Sequence, residues 1–162
     1  VGPVNSLGIR LIKEVADRYL EHRVEDSDVV ANQAELVRYL NQVIGHRPRE
    51  VFLAVFLDAK NRVLKSQVLF EGTLTHSSVY PREVIIQALQ HNAAAVIFAH
   101  NHPSGDVAPS SSDISITRKL CMALSYVGIT VHEHMIIGRR QTYSFAANGL
   151  IAGFRQEFDN GQ

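Results

Sequence analysis

The chain has 162 residues, 46% of them hydrophobic, and its 16 basic side chains balance 16 acidic ones for a formal net charge of zero. That length suits one domain with a real core, and the charge balance argues against a strongly electrostatic nucleic-acid binder. The single Cys121 excludes an internal disulfide framework and suits a reducing, cytoplasmic setting, and no apolar run reaches the length of a membrane span.

The start, Val1 to Asn5, lacks the basic-then-apolar pattern of a secretory signal, and a first residue other than Met suggests a fragment or processed chain. Residues 5–21 carry an apolar stripe (Leu7, Leu11, Val15 and Leu20 among it) that predicts a helix capped by Asn5 or Ser6. The polar, acidic stretch 22–28 reads as a linker, so residues 1–28 form a short N-terminal helical extension to a main domain over 29–155. A second helix is expected over 32–44, ended by Gly45. The nearly continuous apolar run 50–58 predicts a strand buried on both faces, and 62–70 its hairpin partner.

After a loop, Pro81 and Glu83 suit the first turn of a helix reaching about His91. Residues 93–99 form a short apolar strand. A helix follows from Ser111 or Ser112 to Val127, with hydroxyls at 110–112 available as caps and Gly128 as its stop. Strands are expected over 129–137 and 141–145, and the polar end 156–162 as a flexible, frayed tail. The order implies an α/β fold, a mixed central β-sheet with helices on both faces.

One stretch carries the chemistry, His100 to Asp113. His100 and His102 lie at a strand end, where the two-residue side-chain period sends both imidazoles to one side. Asp113 falls in the first turn of the next helix and is placed to be a third ligand. Two imidazoles and a carboxylate, with a fourth position left for water, are the ligand set of hydrolytic zinc. Pro103 and Pro109 stiffen the intervening loop, and Gly105 permits a turn closed to other residues. Asp106, inside the tight loop, is a weaker ligand candidate than the helix-borne Asp113. A second pair, His132 and His134, reads as one solvated face of an outer strand, with His134 as a candidate hydrogen-bonding partner of the site. Arg82, Arg139 and Arg140 read as surface charges.

The residues His100-Asn101-His102-Pro103-Ser104-Gly105-Asp106, with Pro109-Ser110 and Asp113, resemble the RadC branch of the JAMM (MPN+) metalloprotease superfamily. The segments Gly72-Thr73-Leu74, Val79 to Glu83, Asn92 to Ala95 and His134 to Gly138 extend the resemblance over roughly residues 30 to 152. It implies a cytidine-deaminase-like α/β architecture, with Val1 to Leu20 similar to the trailing end of a helix-hairpin-helix region. It implies zinc on His100, His102 and Asp113, and Ser110 stabilising the oxyanion formed when hydroxide attacks an amide carbonyl. A glutamate would carry the proton from water to the leaving amine. Glu50 takes that role by its place ahead of the first strand, with Glu83 as the rival and Glu71 third.

The expected activity is a zinc-dependent metallohydrolase of amide or isopeptide bonds, acting on a peptide or protein. The alternative is a DNA-repair-associated accessory protein with a structural metal site, which the neutral charge disfavours. A nucleobase deaminase needs a Pro-Cys-x-x-Cys ligand pair and is excluded by the single cysteine.

Overall fold

The structure, a computed structural model, describes residues 3–25, 28–75 and 78–162. Its elements run α1 (Pro3–Glu25), α2 (Gln33–Ile44), β1 (Val51–Leu57), β2 (Val63–Glu71), α3 (Pro81–Gln90), β3 (Ala95–Asn101), α4 (Ser111–Tyr126), β4 (Thr130–Ile137), β5 (Thr142–Ser144) and α5 (Leu150–Asn160). The strands form one sheet in the order β2-β1-β3-β4-β5. Only β3 and β4 pair in parallel, joined across α4; the other pairings are antiparallel. The expected mixed sheet is therefore present.

Both β1 and β3 are buried along their whole length, which is why they read as unbroken apolar runs. Alternate side chains feed two cores. Phe52, Phe98 and Ile136 pack with Val84 of α3, Leu120 of α4 and Phe154 of α5 on one face. Leu53, Ile97 and Met135 pack with Leu36 and Leu40 of α2 on the other. Helices thus cover both faces. His100 falls on the α4 face with Phe52, against which its ring is stacked, and Asn101 falls on the opposite one.

Several expectations change. Residues 22–25, expected in a linker, continue α1, and 26–27 lie outside the described residues. The third strand begins and ends two residues later than expected and takes in His100 and Asn101. The last helix, α5, reaches Asn160, so residues 156–160, expected in a tail, are helical. It escapes sequence reading because its start is Gly149, at φ 78° with no side-chain cap, and because Gly153 weakens its interior. Its helical stripe of Ile151 and Phe154 is held instead by packing into the core beside α4.

A bulge in β4 matters most. Val96 pairs with Val131 but Ile97 pairs with Glu133, leaving His132 as the extra residue. The strict alternation that would put His132 and His134 on one face is broken. His132 is half-buried, with its Nε2 3.0 Å from Asn61 Oδ1, while His134 is fully buried beside His100. The two histidines do not share a solvated face.

Candidate metal centre

The site lies at the C-terminal end of β3, where it meets the N-terminus of α4, the usual position for chemistry in such sheets. Three features of the local sequence build it. Strand alternation aims His100 and His102 to one side. Gly105, at φ 89°, turns the loop so that its N–H donates to the His102 carbonyl at 2.9 Å. Gly138 then lets this loop approach β4, since a Cβ there would lie 2.7 Å from both Gly105 O and Val107 Cγ1.

Ser110 and Asp113 close the other side as a capping box. Ser110 Oγ accepts from the Asp113 N–H at 3.1 Å, and Asp113 Oδ2 accepts from the Ser110 N–H at 2.7 Å. The same carboxylate faces the histidines. Its Oδ1 lies 3.2 Å from His100 Nε2 and its Oδ2 lies 3.3 Å from His102 Nε2. The two Nε2 atoms are 3.0 Å apart. His100 and Asp113 are buried, and His102 borders the solvent.

The far side of each ring is engaged. His102 Nδ1 lies 2.6 Å from the backbone carbonyl of Asp106. A carbonyl can only accept, so Nδ1 carries the proton, and in the neutral ring Nε2 keeps its lone pair for the cluster. His100 Nδ1 lies 2.8 Å from His134 Nε2, and His134 Nδ1 lies 2.5 Å from Thr117 Oγ1. Thr117 Oγ1 donates to the Asp113 carbonyl at 2.6 Å.

Electrostatics agree with geometry. Burial opposes ionisation of Asp113, but the neighbouring His100 and His102, with the Ser110 N–H, outweigh it and hold the carboxyl far below the usual range. The Asp113 hydrogen bond raises the pKa of His102, against burial and with help from the Asp106 carbonyl and the Glu50 charge. His134 is pushed well below its usual value by burial, reinforced by the neighbouring His100. It packs between Phe52, Phe98 and Phe145, stacked on the last at 4.6 Å.

Zinc bonded to nitrogen at about 2.0–2.1 Å with tetrahedral angles separates ligand atoms by roughly 3.3 Å. The two Nε2 atoms are 3.0 Å apart and each faces its own Asp113 oxygen, His100 facing Oδ1 at 3.2 Å and His102 facing Oδ2 at 3.3 Å, so two imidazoles and one carboxylate converge at spacings close to that value. Among the described residues, His100, His102 and Asp113 form the group able to hold a metal ion.

The other expected residues divide. Glu50 lines the same cleft of about 370 Å³ as His102, Ser110 and Asp113. It is pinned by its carbonyl, which accepts from the Gly72 N–H at 2.9 Å, and by its Oε2, which accepts from the Leu74 N–H at 2.7 Å. Glu83 is exposed on the first turn of α3 and Glu71 at the end of β2, and neither lines this cleft. The Asp106 carboxylate accepts from the Ala108 N–H, so Asp106 serves through its carbonyl. A larger concavity of about 650 Å³ lies between α1, α2 and β2, lined by Lys13, His46 and Arg47, and holds none of these ligands.

Three contributors escaped the sequence reading. Asn101 accepts from the Val51 N–H at 2.6 Å and donates to the carbonyls of Arg47 and Arg49, fastening the segment that carries Glu50. Alternation alone places it opposite the two histidines. Thr117 stands one helical turn after Asp113, a spacing that puts both on one face. Buried Glu133 accepts from the N–H groups of His134 and Ala146 and from Ser144 Oγ, which holds Phe145 against the His134 ring. No local pattern signals these hydrogen bonds.

The fold and site define a mixed-sheet α/β domain whose His–His–Asp cluster at a strand end could hold a metal ion, and comparison with known proteins narrows the class. Residues 30–150 match the family model described as a RadC-like JAB domain. The chain is 46% identical over 151 residues to a UPF0758 protein of Nitrosospira multiformis, 42% to one of Ralstonia nicotianae and 43% to one of Vibrio parahaemolyticus. Each match covers 93% of this chain and 67% of the relative. The chain belongs to the RadC-like JAB domain family.

Proposed function

We propose that the protein is a zinc-dependent hydrolase of amide bonds in a peptide or protein substrate, including isopeptide bonds. One observation carries the reading. Two imidazoles whose Nδ1 atoms are engaged elsewhere converge with a carboxylate in a cleft that Glu50 and Ser110 also line. A zinc ion held by His100, His102 and Asp113 would supply a water with a pKa near 7 and polarise a carbonyl.

The chain's residues supply the rest. Glu50 takes a proton from the attacking water and delivers it to the amine as the C–N bond breaks, leaving a carboxylate and a free amine. Its bond from the Leu74 N–H occupies Oε2 and leaves Oε1 for that proton. Ser110 uses its oxygen lone pair for the Asp113 N–H, so its own O–H remains to donate to the developing oxyanion.

Equilibrium dialysis against zinc with elemental analysis tests the metal, and release of amines from a mixed fluorogenic peptide library tests the reaction. One zinc per chain, lost in His100→Ala, and cleavage abolished by chelation are expected. A wild-type protein that binds no zinc would remove the proposal.

A further inference from the structure

Four groups link the two buried ligands by a second route, away from the cleft. His100 Nδ1 meets His134 Nε2 at 2.8 Å, His134 Nδ1 meets Thr117 Oγ1 at 2.5 Å, and Thr117 Oγ1 meets the backbone carbonyl of Asp113 at 2.6 Å. The path begins on one ligand residue and ends on another. Every side chain along it is buried, with His134 and Thr117 at 0% exposure, so water does not substitute for a missing partner.

The direction of such a chain is set by its terminal group. A carbonyl oxygen has no proton, so the Thr117 hydroxyl donates to it. A hydroxyl has one proton, and Thr117 must then accept from His134 Nδ1–H. Neutral His134, with its proton on Nδ1, presents a lone pair at Nε2, and that atom accepts from His100 Nδ1–H. The last consequence is a lone pair on His100 Nε2, which is the atom that faces His102 and Asp113. Reversing the Thr117 proton would reverse every bond and place a hydrogen where the metal must bind.

We infer that Thr117 and His134 are positioning residues that set the tautomer of His100, using the carbonyl of Asp113 as the fixed acceptor. His102 has its own, separate anchor in the Asp106 carbonyl. The two ligand histidines are thus set independently, one from helix α4 through β4 and one from the loop. The fold supports the longer route at both ends. The β4 bulge turns His134 inward, and Glu133 holds the strand at that point. The relay stands on its hydrogen bonds, and its role in metal binding rests on the metal reading of the site and not on the reaction proposed for it.

Thr117→Val removes the hydroxyl at nearly constant volume. His134 then has no acceptor at Nδ1, and the reversed tautomer becomes accessible to both rings. Loss of such an outer partner weakens a metal site by about 10–100-fold. In the zinc-free protein at pH 8, long-range proton–nitrogen correlation reads the tautomer of each histidine directly. The expected result is Nδ1–H for His100 and His102 in the wild type, a mixed or reversed state for His100 alone in Thr117→Val, and restoration in Thr117→Ser. Zinc affinity should fall in the valine variant and recover in the serine variant. Wild-type His100 protonated on Nε2, or a valine variant with unchanged tautomer and zinc affinity within twofold, overturns the inference. Should Thr117→Val fail to fold, the wild-type tautomer and Thr117→Ser still decide it. A wild type that binds no zinc but shows the Nδ1–H tautomer refutes the metal reading and leaves the relay standing.

Discussion

Asn101→Ala separates the support of Glu50 from the metal ligands on either side of it. The substitution deletes the acceptor of the Val51 N–H and the donor to the Arg47 and Arg49 carbonyls. Val51 is only 1% exposed, so its N–H is left buried and unpaired, a loss of about 1–3 kcal/mol. The Arg47 and Arg49 side of the segment borders solvent, and water replaces those two bonds at a cost of about 0.5 kcal/mol each. The total is about 2–4 kcal/mol, and in a domain of this size each kcal/mol lowers Tm by about 2–4 °C. Calorimetry of the zinc-free protein should therefore show a drop of roughly 5–15 °C. Zinc affinity, measured on the folded variant by competition with a chelator, should stay within about threefold of wild type, because Asn101 faces away from the ligands and small changes pass weakly between the faces of a strand. A Tm within 2 °C of wild type, or a loss of zinc as large as that of His100→Ala, would show that the two faces of β3 do not divide these tasks.

Four further outcomes follow from the same geometry. Glu50→Gln keeps an acceptor for the Leu74 N–H but removes the proposed base, so on the proposed reaction amide cleavage should fall by about 10²–10⁴-fold with zinc content intact, whereas exposed Glu83→Gln should leave both unchanged. On the proposed zinc site, zinc and protons compete for His102, whose pKa Asp113 raises above 6.5. Apparent affinity, titrated with a chelator from pH 8 down to 5.5, should be constant above that raised pKa and fall below it by about tenfold per pH unit. Asp113 stays ionised throughout and adds no second step. The zinc-free fold carries two opposed terms. The raised His102 stabilises it fully below pH 6.5 and loses that contribution as pH rises through the raised value. Buried His134, lowered by desolvation, contributes fully above pH 6.5 and is lost as pH falls below it. Gly138→Ala sets a Cβ 2.7 Å from Gly105 O and Val107 Cγ1. It should cost about 1–3 kcal/mol in thermal unfolding and weaken zinc binding by displacing the loop that carries His102.

Elements whose signals are local are legible in the chain alone. Continuous apolar runs marked β1 and β3 because both faces of those strands are covered. The Ser110–Asp113 spacing marked the start of α4 because a capping box is a four-residue device. His100, His102 and Asp113 were legible for the same reason, since one strand period and one helix turn bring their donor atoms together. Features that depend on contacts distant in sequence emerge in the packed fold. The β4 bulge is a register choice between two strands, so alternation wrongly put His132 and His134 on one face. Helix α5 has no side-chain cap and is held by packing that no local pattern announces. Thr117, Glu133 and Asn101 look like ordinary polar residues until burial denies them water. At that point each must spend its hydrogen bonds inside the protein, and those bonds are what orient His100, His134 and the segment bearing Glu50.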